Sequence, residues 1–335
     1  MRTMLAAAAL LLPLAANAGA TLDAIRARGH IICRVNSGVA GFSAPDSQGN
    51  YRGLDADYCR AIAAAVFGDA AKVRFVGTTH QTRFVALQSG EVDILARNVT
   101  QTLTRDTALG FNMAGVNFYD GQGFIVPKRL NVTAAKQLDG ATVCVTSGST
   151  TELNLADFAR RERITMRPVV MGTFEEMVPA YNAGRCDAMT SDASQLAALR
   201  VSAITNPDQH VVLPERISKE PLGPFVRQGD EQWFDIAKWA LIAMIEAEEL
   251  GITQANVETM LQSPDPTIQR VLGVVPGYGR ALGVDERWVF NIVRQVGNYG
   301  EVFERNLGKE SPIGLSRGMN DLWTRGGLMY AIPLR

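Results

Sequence analysis

The sequence has no Cys-x-x-Cys pair, and its three histidines, His30, His80 and His210, do not cluster with its four cysteines. Zinc sites draw ligands from such spacings, so no metal centre is expected. A P-loop and a Gly-x-Gly-x-x-Gly dinucleotide fingerprint are also missing, and with them any reason to expect a cofactor. No lysine or arginine run stands out, and 33 basic against 34 acidic residues leave a net charge of −1. A nucleic-acid surface needs a clustered basic face. The letters Gly314-Leu315-Ser316-Arg317-Gly318 match a nucleophile elbow. However, no strand precedes them and every histidine lies upstream of Ser316, whereas that fold's triad needs a histidine after the serine.

What is present begins with MRTMLAAAALLLPLAANA: a basic start at Arg2, an apolar stretch from Met4 to Ala15, and a small-residue end at Ala16 to Ala18. This pattern is a secretory signal peptide, with cleavage expected after Ala18. The apolar stretch is too short to span a bilayer, and no second candidate of about 20 residues follows. No cysteine follows the expected cut, which argues against a lipid anchor there.

Export makes the four cysteines legible, because thiols in an oxidising compartment tend to pair. Three pairings are possible. Cys33 lies in the first apparent strand and Cys59 in the first long helix, while Cys144 and Cys186 lie in later strand-like runs. We pair them as neighbours, Cys33 with Cys59 and Cys144 with Cys186.

Residues 54 to 67, LDADYCRAIAAAVF, put Tyr58, Ala61, Ile62, Ala65 and Val66 on one helical face. Strand and helix patterns then alternate, as in an α/β chain with mostly parallel strands. The run ALQSGEVDILARN (86–98) matches AYNAGRCDAMTSD (180–192) as a repeated unit: helix end, glycine, aspartate, apolar strand, polar terminus. Ligands of open α/β sheets sit beyond the carboxyl ends of the strands. Two such sheets face to face would bring Asn98 to Arg105 and Ser191-Asp192 into one cleft. Residues 119–128 and 220–230 read as two crossings between lobes. Lobe one is expected at 19–123 and 226–335, including a helical tail, and lobe two at 124–225. Chains of 335 residues accommodate two such domains.

The strand-end residues carry the chemistry. Arg105 follows Thr100 and Thr102, and a guanidinium grips a carboxylate in two places. Thr102 also suits a helix cap, but a cation in a helix's first turn asks for an anionic partner. Ser149-Thr150-Thr151-Glu152 fits a capping box, and the same helix start exposes N–H groups to an anion. Asp192 can cap a helix with Gln195 or accept from an ammonium. Arginine on one side and aspartate on the other describe a receptor for a zwitterion, of which an α-amino acid is the obvious small example.

At these residues the chain resembles the periplasmic solute-binding proteins of polar amino-acid ABC transporters, and within them the general L-amino acid-binding subfamily. The resemblance is carried by GFSAPDSQGNYRGLDADYCRAIAAAV, the T-x-T-x-x-R of Thr100, Thr102 and Arg105, RFVALQSGEVDILARN, YDGQGF, CVTSGSTTELNLADF, VGNYGEVFERNLG and LWTRGGLMYAIPLR. It spans essentially the whole mature chain. It implies a two-lobed type II periplasmic binding fold, each lobe a mostly parallel sheet flanked by helices, joined by two crossing strands. It implies a monomeric, non-catalytic periplasmic receptor that delivers an L-amino acid to a membrane permease. Arg105, helped by Ser149 and Thr150, would hold the ligand carboxylate; Asp192 and Thr100 would hold the ammonium. Many relatives place aromatics over the ligand side chain, where this chain has Val39 and His80; Gln101 stands where close relatives often have tryptophan. These positions show no aromatic clamp and no obvious charge, so a broad, polar-leaning ligand range is expected. The alternative is a dehydratase of prephenate or arogenate on the same fold, which would need a positioned general acid or base.

Overall fold

Short apolar strands with polar ends assemble into two separate sheets in the computed structural model, which describes residues 19–335. The expected signal peptide lies outside the described residues. The first sheet has the order Val73–Thr78, Ile31–Asn36, Ile94–Thr100, Glu220–Arg227, Phe111–Met113, with Phe118–Asp120 also paired to Glu220–Arg227. The second runs Arg167–Met171, Thr142–Thr146, Ala188–Asp192, Gln122–Pro127, His210–Val212.

Three strands of each sheet are parallel. The remaining strands are antiparallel, so the expectation of mostly parallel sheets is corrected to mixed sheets. Parallel neighbours need a crossover, usually a helix, to turn the chain round. Gln122–Pro127 enters its sheet directly from a crossing, without a helix in between, and runs against its neighbours.

The chain changes sheet at Gly121. A Cβ there would stand 2.7 Å from the Ser218 carbonyl oxygen and 2.9 Å from Arg216 Cβ, so glycine is what lets the outgoing and returning segments pass. Beside it, Asp120 pairs with Glu220. The strand Glu220–Arg227 lies wholly in the first sheet, so the expected lobe boundaries at 123 and 225 fall inside strands.

Of the expected face of helix Leu54–Phe67, Tyr58, Ala61, Ile62 and Ala65 are buried and Val66 half-buried, but most of the rest of the helix is buried too, Asp55 and Asp57 included. It packs against the long helix Glu231–Glu249 and the tail helices Trp288–Gln295 and Tyr299–Asn306. Its small alanines permit that close approach, and Asp57 is held by Arg305 at 2.8 Å and Arg60 at 3.0 Å. The tail also grips the outgoing crossing. Tyr299 Oη donates to the Asn117 carbonyl at 2.9 Å, and the Asn320 side chain bonds both the N–H and the C=O of Tyr119, at 2.6 and 3.0 Å. No helix among the described residues is long and apolar enough to cross a membrane.

Disulfides join Cys33 to Cys59 and Cys144 to Cys186, as paired from the sequence. Each lies within the span of one sheet and its helices, and neither ties the sheets together. They close loops of 26 and 42 residues. Cross-links of this length stabilise by about 3.5 and about 4 kcal/mol in the chain-entropy model. Replacing either pair with serine should therefore lower the unfolding free energy by about 3 to 4 kcal/mol. Urea denaturation of each double variant measures this, and an unchanged midpoint would contradict it.

Candidate ligand-binding cleft

The carboxyl ends of strands from both sheets converge on a small pocket lined by His80, Arg83, Asn98, Thr100, Arg105, Ser149, Thr150, Thr151, Ser191 and Asp192. On the first-sheet side, strand Ile94–Thr100 ends in Asn98 and Thr100. Asn98 has a left-handed φ of 47°, which a non-glycine residue adopts only where its surroundings hold it there. Its Oδ1 accepts from Asn36 at 2.6 Å and its N–H donates to Asp55 at 3.2 Å. Among the described residues its Nδ2 has no partner. The short helix Leu103–Thr107 then presents Arg105, whose Nη1 donates to the Thr100 carbonyl at 2.6 Å and whose guanidinium sits 5.1 Å over the Phe84 ring.

On the second-sheet side, strand Thr142–Thr146 leads through Gly148 into helix Thr150–Glu162. Ser149 Oγ donates to the Thr146 carbonyl at 2.6 Å and accepts from the Glu152 N–H at 3.2 Å. The Glu152 carboxylate reaches Gly148 N–H rather than Ser149, so the capping box is shifted by one residue. With the Ser149 hydroxyl so engaged, the anion-binding groups at this helix start are the first-turn N–H groups, which have no intrahelical acceptor. Strand Ala188–Asp192 ends in Asp192, whose Oδ2 accepts from Gln195 at 2.7 Å. The lobes touch across the cleft through Ser37 and Glu175 at 2.7 Å, Gln81 and Ser147 at 2.9 Å, and Arg83 and the Gly148 carbonyl at 3.3 Å.

Electrostatically the site is under load. Burial lowers the pKa of Arg105, while Glu220 and Asp192 oppose that shift. Burial pushes Asp192 well above the usual carboxylate range, and the neighbouring Asp120 and Glu220 push the same way. Among the described residues Arg83, Arg97, Arg105 and Asp192 form no salt bridge within 4 Å. His80 is held neutral by burial first and then by Arg97, Arg83 and Arg105. Arg97 Nη2 donates to its Nδ1 at 3.3 Å, so the neutral ring carries its proton on Nε2 as a donor.

Seven of the eight residues read from the sequence share this cavity: Arg105, Thr100, Asn98, Ser149, Thr150, Asp192 and His80. Thr102 does not line it; its hydroxyl accepts from the Arg105 N–H at 3.3 Å and caps the short helix. Val39 lines a separate small pocket with Arg97 and Phe174, and Gln101 is exposed. The expectation of no obvious charge is corrected by Arg83, buried at the cavity wall with its Nε unpartnered among the described residues. Arg83 opens helix Arg83–Gln88, so the signal that singled out Arg105, a cation in a helix's first turn, was also present here. Glu220 was missed as well: it lies in a crossing read only as a connection, yet it is buried and bonds Thr100 at 2.5 Å and Thr150 at 3.0 Å.

The family model for bacterial extracellular solute-binding proteins, family 3, matches residues 31–255. The chain belongs to that family. Proteins similar to it include the general L-amino acid-binding periplasmic protein AapJ of Rhizobium johnstonii, 53% identical over 98% of this chain and 97% of that protein. Another is the glutamate/glutamine/aspartate/asparagine-binding protein BztA of Rhodobacter capsulatus, 51% identical over 96% of this chain and 95% of that one. A solved family structure, an ABC transporter periplasmic binding protein from Brucella ovis with glutathione bound, superposes with a TM-score of 0.93 at 51% identity, covering 94% of this chain and 99% of its own. The family model ends before most of the helical tail, whereas these relatives align along almost the whole chain.

The raised pKa of Asp192 has a stability consequence. A carboxyl whose folded pKa lies above its unfolded value costs stability in full above the folded pKa, and the cost shrinks as pH falls from the folded pKa to the unfolded one. Asp192→Asn keeps an oxygen for Gln195 and removes the charge. The ligand-free variant should be more stable than wild type at pH 7. That gap should narrow below the raised pKa and close near the unfolded carboxylate value of about 3.9. Urea unfolding across a pH series decides it, and equal midpoints at pH 7 would refute it.

Proposed function

We propose that this chain is a periplasmic receptor that closes its two lobes over an L-amino acid and delivers it to an ABC transporter permease. The observation that carries this is the convergence on one buried cavity of Arg105 from one lobe with Asp192 and the start of helix Thr150–Glu162 from the other. On sheet membership, we take the lobes as residues 19–121 with 220–335, and 122–219. Closure needs a ligand that binds the closed form better, and contacts from both lobes supply that difference.

The α-carboxylate goes to Arg105 and the first-turn N–H groups, and the α-ammonium to Asp192. The side chain meets donors: Arg83, His80 Nε2–H and Asn98 Nδ2. Side chains that end in acceptors therefore fit, which favours glutamate, glutamine, aspartate and asparagine within a broad range. This agrees with the ligands named for BztA. Glutathione, held by the Brucella ovis relative, carries the same α-amino and α-carboxylate pair on its glutamyl end. The receptor is read as non-catalytic, because the buried carboxylates of the cleft are engaged by hydrogen bonds and its relatives are named as binding proteins. Turnover of prephenate or arogenate by the purified chain would overturn that part.

A thermal-shift panel tests the whole. A ligand at a hundred times its dissociation constant stabilises the folded state by about 2.7 kcal/mol, readable as a melting shift. Several L-amino acids, led by the acids and amides, should raise the melting temperature, and their D-forms should not. Arg105→Ala should abolish the response, and Arg83→Met should weaken acidic ligands about tenfold or more through loss of a charge-assisted bond. A response only to sugars or phosphate, or a full response from Arg105→Ala, would sink the proposal.

A further inference from the structure

Glu220 stands between the lobes behind the cavity wall, 1% exposed. Its Oε2 accepts from Thr100 Oγ1 at 2.5 Å and from Thr150 Oγ1 at 3.0 Å. Its Oε1 accepts from Ser218 Oγ at 2.6 Å and Asn154 Nδ2 at 2.7 Å. An ionised carboxylate can only accept, so each threonine commits its single hydroxyl proton to Glu220. The two threonine oxygens lie 3.4 Å apart, one from each lobe, and both residues line the cavity. Oxygens whose protons are already committed meet a ligand only through their lone pairs. Two such acceptors side by side call for a shared donor.

We propose that Glu220 is a positioning residue that sets the polarity of both hydroxyls, so that Thr100, Thr150 and Asp192 form a three-acceptor seat for a primary ammonium. This rests on the amino-acid reading of the cleft. It reassigns the Thr150 side chain: its hydroxyl serves the ammonium, and the carboxylate is left to Arg105 and the first-turn N–H groups. A primary ammonium has three N–H donors for three acceptors. A secondary amine has only two and carries a substituent where the third acceptor waits. The seat also joins the lobes, since Thr100 belongs to the first sheet and Thr150 and Asn154 to a helix of the second lobe. Glu220 therefore couples recognition of the ammonium to closure.

The test is calorimetric titration of the mature chain with L-glutamate and L-glutamine, each beside its N-methyl derivative. Wild type should prefer the primary amine about tenfold or more, the worth of a charge-assisted hydrogen bond. In Glu220→Gln the amide has one accepting oxygen and a donating nitrogen, so it cannot take protons from all four neighbours. That variant should bind the parent amino acids about tenfold more weakly and discriminate against N-methylation no more than about threefold. Thr150→Val keeps the backbone N–H, removes one acceptor and should shrink the same ratio, which serves where Glu220→Gln fails to fold. A structural role alone would weaken both ligands equally and leave the ratio unchanged; that outcome in either folded variant, or a wild type indifferent to N-methylation, overturns the inference. Wild type that binds neither parent amino acid overturns instead the amino-acid reading on which it rests.

Discussion

Buried charge without an internal partner is the constraint around which this molecule is organised. Withdrawing an ion from water costs several kcal/mol even after relaxation. Here Arg83, Arg97, Arg105 and Asp192 are all less than a tenth exposed. The direct contacts of the cations are carbonyl oxygens and aromatic faces, Arg105 with the Thr100 carbonyl and Phe84 and Arg97 with the Thr78 carbonyl at 3.0 Å, while carboxylates act on them only from a distance. Carbonyl dipoles satisfy donors without cancelling the charge. The unbalanced field is left for a zwitterion, and the rest of the fold keeps it from collapsing.

That restraint comes from two self-sufficient lobes. Each has its own sheet and its own disulfide from a strand or strand end to a neighbouring element, so opposed charges cannot simply migrate into an ion pair. The strained backbone of Asn98 belongs to the same economy of position. Its side chain is pinned by Asn36, its N–H by Asp55, and Asp55 is in turn bonded by Asn117 at 3.0 Å. Burial raises Asp55 to about 6, with Asn117 first among the contacts that resist the shift. Polar groups that do not themselves line the cavity thus hold one donor at its wall.

Local patterns were enough to find the ends of the strands. The repeated helix–glycine–aspartate–strand unit pointed to Asn98 and Asp192, and the capping sequence to Ser149 and Thr150, because polar residues at strand ends are written contiguously. Glu220 was not legible in the same way, and Arg83 carried a first-turn signal that was not followed. Glu220 lies 120 residues from Thr100 in sequence and acquires its role only when a returning crossing is laid beside the first sheet. Arg83 becomes a pocket residue only when the second lobe is laid beside it, where it meets the Gly148 carbonyl at 3.3 Å. Sheet direction failed for a related reason: periodicity marks a strand, but whether a crossing reverses it depends on where the chain has just come from.

The helical tail shows how a later segment can erase an earlier signal. Helix Leu54–Phe67 carries an apolar face at helical spacing, yet its polar side is buried too, because Trp288–Gln295 and Tyr299–Asn306 pack over it and Arg305 neutralises Asp57. The same tail fastens the outgoing crossing to the first lobe. Asn320 treats Tyr119 as a strand neighbour would, bonding both its backbone groups, and Tyr299 holds the Asn117 carbonyl two residues earlier. Phe303 stacks on Phe118 with centroids 6.1 Å apart. Residues 117 to 119 are thereby part of the first lobe's rigid body. Any rotation of the second lobe has to be taken up from Asp120 onward, where glycine follows and the returning strand begins at Glu220. The bending point and the ammonium seat are therefore neighbours in the fold, which is why a single buried carboxylate touches both.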